Sequence, residues 1–126
     1  MGSIRTMMGA GLPAAAAIAV GSGTFATTIS AAGTTNADAT QLVADFNVVT
    51  TAVTNAGVKL PDVEVGSQIV VVNGTAAAPL KIYPGTGYQM NNQTATSGFF
   101  SLGANESAMF IRGSAVHWAG IGDTAA

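Results

Sequence analysis

His117 is the single histidine of the chain and stands beside the single tryptophan, Trp118. It is the one side chain whose ordinary pKa lets it exchange protons near neutrality. Work as a general base needs an acid to orient the ring and a nucleophile to deprotonate, and no Asp or Glu adjoins His117 in sequence. A packed, hydrogen-bonded histidine is the expectation. Asp62 and Glu64, two apart after Pro61, could offer oxygens to calcium, but no EF-hand-like ligand series follows them, so they read as solvated loop charges. The glycine-rich piece Pro84-Gly85-Thr86-Gly87-Tyr88-Gln89-Met90-Asn91-Asn92 superficially matches a phosphate-binding loop. It lacks the lysine and the following helix that make such a loop work, and reads as a turn. With six carboxylates, one histidine and no cysteine, few groups remain from which to build a catalytic, cofactor-binding or metal-binding site. The residues point to a protein that is not an enzyme and holds no cofactor.

The elements that would position any site come from a chain of 126 residues, long enough for one domain with a modest core and an arm. Charged residues make up 8%, about a third of the usual share, and the mean hydropathy is +0.44. A surface so poor in charge is expected to be covered by other protein, in an oligomer or larger assembly. A net charge of −2, with Arg5, Lys59, Lys81 and Arg112 as the fixed cations, leaves no basic stripe for a row of phosphates, so no nucleic-acid partner is expected. The absence of cysteine excludes disulfides and fits assembly in a reducing cytoplasm.

The first 34 residues read as an extended arm. Their apolar run from Leu12 to Val20 is broken by Pro13 and flanked by glycines, too short for a membrane span and poor as a secretory signal, so no membrane partner is expected. Ile4, Arg5, Met7, Met8, Leu12 and Ile18 are candidate docking residues of that arm; methionine suits irregular partner surfaces. Residues 35–126 form the domain. Leu42, Phe46, Val49 and Val53 recur at four, three and four, the stripe of one short helix ending at Gly57 as its C-cap, and such a stripe is core or an oligomer seam. After Pro61 short apolar runs at Gln68 to Val72, Leu80 to Tyr83, Gly98 to Leu102, Ser107 to Arg112 and Ala115 to Ala119 read as strands, separated by turn signals such as Asn73-Gly74. The fold class expected is mainly β with that one helix, a small antiparallel β-sandwich or jelly-roll-like barrel. Strand 107–112 is apolar on both faces, so both are expected to be covered.

From Gly57 to Asn92, and again at Trp118, the chain carries a pattern: Gly57-Val58, Leu60-Pro61, Gly66, Ile69, Val71, Asn73, Leu80, Ile82-Tyr83-Pro84, Gly87 and Met90-Asn91. This pattern, with the preceding Ala39 to Leu42, resembles a β module of tailed-phage virion proteins. The resemblance implies a capsid decoration (cement) protein: a homotrimeric knob that binds the major capsid protein on the outer surface of the virion, assembled in the host cytoplasm, with its arm reaching across neighbouring shell subunits. The alternative it implies is an attachment module of a head or tail fibre. The chain carries no long repetitive shaft, which favours the compact cement. In that reading Leu42, Phe46, Val49 and Val53 form the trimer interface and residues Ile4 to Ile18 the capsid-binding arm.

Overall fold

The computed structural model describes residues 24–122, which form ten strands in two sheets and, among the described residues, no helix. In chain order these are β1 (Phe25–Ser30), β2 (Thr40–Gln41), β3 (Phe46–Thr51), β4 (Gly57–Lys59), β5 (Gln68–Asn73), β6 (Leu80–Tyr83), β7 (Gln89–Met90), β8 (Phe100–Leu102), β9 (Ser107–Arg112) and β10 (His117–Ile121). A six-stranded sheet runs β1-β3-β5-β9-β10-β7, and a four-stranded sheet runs β2-β4-β6-β8.

The first six strands alternate between the sheets, and within each sheet they pair in parallel: β1 with β3, β3 with β5, β2 with β4, β4 with β6. The chain therefore winds in solenoid-like turns, each contributing one strand to either sheet. Antiparallel strands extend the sheets, β8 on β6, β9 on β5 and β10 on β9, and β7 pairs in parallel with β10 at the far edge of the larger sheet. The antiparallel sandwich or jelly roll expected from the turn spacing is thus corrected, although the mainly β composition holds. Turn signals mark where a strand ends; they do not say whether its successor returns beside it or crosses to the other sheet.

The expected helix is absent for a physical reason. Its central residues Phe46-Asn47-Val48-Val49-Thr50-Thr51 are β-branched or aromatic, which suits a pleated strand better than a helix. They form β3, in which Asn47 and Val49 turn inward while Phe46 and Val48 face out. Gly57, expected as a helix cap, instead opens β4 beneath Tyr83. A Cβ there would come within 2.8 Å of the Tyr83 ring, so glycine lets that ring lie against the strand. Strand β1 falls within residues 1–34, read from sequence as an arm, and pairs with β3 with two shifts of register.

Between the sheets lies one core: Val49, Ile69, Val71, Met90, Ala108, Phe110 and Trp118 meet Leu42, Val58, Leu60, Leu80, Ile82, Phe100 and Leu102 from the other side. Phe100 and Phe110 join the sheets edge to face, with ring centroids 5.2 Å apart. Burial of each large side chain contributes about 1.5–3 kcal/mol. Nearly every apolar position of the 57–92 pattern is in this core, so the pattern describes how the fold packs.

Candidate functional site

The inward alternation of the six-stranded sheet leaves a second row of side chains outside. Phe25 lies beside Phe46, Phe46 beside Val70, Val70 beside Met109, and Met109 beside Ile121, one rung crossing five strands. Flanking rungs carry Val48, Val72 and Ser107 on one side and Gln68, Ile111 and Ala119 on the other. Phe25 is 77% exposed, Ile121 53% and Phe46 42%. No Asp, Glu, Lys or Arg occupies an outward position on this sheet, since its one charged residue, Arg112, turns inward and is buried. The four-stranded sheet differs: Lys59 and Lys81 stand among its outward positions. Natural sheets that face water alternate apolar and polar residues, whereas here the outward rung from Phe25 to Ile121 is apolar, with Gln68, Ser107 and His117 at its margins, and such a rung favours being covered.

Strand β1 adds a second feature at the margin of this face. The other edge strands β2, β7 and β8 are two or three residues long, whereas β1 has six, none charged and none proline. Short length, charge and proline are common means of blunting an edge, and β1 has none of these, although its pairing shifts register between Ala26 and Ile29 and again before Ser30.

The residues with chemical potential are placed in structural roles. His117 is half-buried, and its Nε2 lies 2.6 Å from the carbonyl oxygen of Asn91. Asp62 pairs with Arg112 at 3.0 Å, and the guanidinium also donates to the carbonyls of Val63, Ser114 and Ala115 and stacks on the Tyr88 ring. Arg112 therefore ties the 62–65 loop to the turn after β9, and a shallow depression lined by Asp62 to Val65 and Arg112 lies beside it. Its guanidinium disfavours a metal cation there. In the 84–92 turn, the amide of Gly85 donates to Asn36 Oδ1 and that of Gly87 to Thr96 Oγ1, so two amides that a phosphate would need are engaged within the chain. Among the described residues no cluster of three metal-ligating side chains occurs.

Over the outside of the four-stranded sheet, the 34–37 and 96–99 segments enclose a cleft of about 310 Å³, floored by Lys81, Tyr83 and Phe99. Lys81 Nζ lies 4.7 Å from the centre of the Phe99 ring. Tyr83 donates its hydroxyl to the Thr34 carbonyl, and Asp38 Oδ1 accepts from the Thr35 hydroxyl and from the amides of Thr34 and Thr35. These bonds hold the Asp38 carboxyl below its ordinary value, the Thr35 hydroxyl contributing most. Burial, and then the negative Asp38, raise the Tyr83 phenol. Trp118 is fully buried and Tyr83 nearly so, which removes them as a platform on which a sugar ring could stack.

The expected trimer stripe is divided. Leu42 and Val49 belong to the chain's own core, while Phe46 and Val53, the latter 74% exposed, face outward. A spacing of four, three and four gathers four residues on one side of a helix; along turns and a strand it cannot. The expected arm residues Ile4, Arg5, Met7, Met8, Leu12 and Ile18 lie outside the described residues. Sequence reading did not single out Val70 or Ile121 as a surface, although the double-faced apolarity of 107–112 was the signal for Met109 and Ile111. Comparison with protein-family models, curated proteins and solved structures finds no match for this chain.

Proposed function

We propose that this chain is a non-enzymatic assembly protein, and in its specific form a phage capsid decoration (cement) protein. As such it is a homotrimeric knob bound to the major capsid protein, with the N-terminal segment reaching across neighbouring shell subunits. The observation that supports an assembly role is the charge-free apolar outer face of the six-stranded sheet, set against a four-stranded sheet that carries lysines. The phage assignment rests on the resemblance of the 57–92 pattern to virion β modules.

Reinforcing a shell takes no chemistry, only contacts that persist. Linked copies raise the effective concentration of each attachment, so weak individual contacts add up to a lasting clamp. Cryo-electron microscopy of purified particles that contain this chain tests the reading. Knobs on the shell are the expected result; density confined to a vertex or tail would transfer the role to fibre attachment, and absence from the particle would refute both.

A further inference from the structure

We infer that the outer face of the six-stranded sheet is covered by a second copy of this chain, with Val70 and Met109 at the centre of the contact. The inference rests on the homo-oligomeric part of the proposed reading and does not need the capsid.

The face is charge-free across all its strands, so any occupant must bring a surface that is itself nearly free of charge. A buried charge without a partner is strongly unfavourable. A second copy meets that condition by construction, because it presents the same neutral face, and self-complementary contact is the usual way in which identical chains associate. The chain as a whole, at 8% charged residues, is the kind of partner the face selects.

Size agrees. Four strands of six residues, one of five and one of two, about 4.8 Å apart and rising about 3.3 Å per residue, cover about 500 Å² in projection, and side-chain relief raises the accessible area above that. Stable specific interfaces take about 800 Å² from each partner, with weaker complexes below. A face of this area supports association near the lower end of that class. The rung places aromatic and thioether side chains, Phe46 and Met109, where interfaces are enriched in them.

Sedimentation equilibrium of the full chain alone, over a wide concentration series, tests this without any particle. The expected mass is at least twice the 12.4 kDa of one chain. Val70→Glu should raise the dissociation constant by about a hundredfold, while Lys81→Glu on the opposite sheet should not change it. Because Val70→Glu could disturb the fold, a second variant reads the contact independently. The chain has no cysteine, so Met109→Cys should give a disulfide-linked pair on mild oxidation, and Ser101→Cys on the four-stranded sheet should not.

A monomeric mass at every concentration would overturn the inference and leave the face to the chain's own N-terminal residues or to a shell protein. Association that survives Val70→Glu with no cross-link through Met109→Cys would overturn it as well, by moving the contact elsewhere. Particles without this chain would defeat the capsid reading and leave self-association through this face intact.

Discussion

Arg112 makes one ion pair and three hydrogen bonds to carbonyls, and these differ in weight. Its partner Asp62 has a side chain 83% exposed, so water and salt screen the pair and it contributes about 0–1 kcal/mol. The carbonyls of Val63, Ser114 and Ala115 have one donor in common, the guanidinium, and lysine cannot match its fork. Asp62→Asn should therefore shift unfolding by less than about 0.5 kcal/mol, and Arg112→Lys by about 2 kcal/mol, in urea titrations. Asp38 offers a pH test. Its carboxyl is held below its ordinary value of 3.8 by the Thr35 hydroxyl first and then by backbone amides. A depressed carboxylate stabilises the fold above its unfolded value and loses that contribution as pH falls through the folded one. The stability gap between the native chain and Asp38→Asn should hold steady from pH 7 down to about 4 and close below it. A gap unchanged at lower pH would refute the carboxylate's role.

At the scale of the elements, parallel winding depends on turns that satisfy their own polar groups. Asn73, fully buried at the end of β5, donates its amide to the carbonyls of Ala77 and Gly103, and its Oδ1 accepts from the Thr75 amide and hydroxyl. Asn73→Asp sets a carboxylate oxygen against those two carbonyls and buries a charge. Thermal unfolding should show a loss of about 3 kcal/mol or more. Strand β10 approaches the core closely at Gly120, where a Cβ would stand 2.7 Å from the Phe100 ring and 3.1 Å from that of Phe110. Gly120→Ala should separate the edge-to-face pair and cost about 1–3 kcal/mol, seen in near-ultraviolet circular dichroism as well as in the melting temperature. The strands at Leu80–Tyr83 and Ser107–Arg112 were legible because Pro, Gly and Asn bound clear apolar runs there. Strands β2, β4 and β7 were not, since two or three residues carry too little periodicity to recognise, whereas the equally short β8 was marked by its apolar run after Gly98.

At the scale of the molecule, charge is concentrated away from one broad face, and a neutral contact has little Coulomb energy for salt to screen. Self-association through that face should change little between low and physiological sodium chloride and strengthen in sulfate, which favours apolar burial. A strong loss on adding sodium chloride, measured by sedimentation, would point to a contact through Lys59 and Lys81 instead. Composition by itself determined the scarcity of catalytic groups, because no arrangement of one histidine and no cysteine supplies a thiolate or a histidine cluster. Local pattern likewise determined that the chain after Pro61 is made of strands, since apolar alternation and turn residues act over a few positions. Only the tertiary structure decided that Leu42 and Val49 enter the core while Phe46 does not, and that Phe25, Phe46, Val70, Met109 and Ile121 form one rung. Those relations join residues far apart in sequence. They are set by which strands pair and in what register, and a slip of one residue would exchange the two faces of a strand.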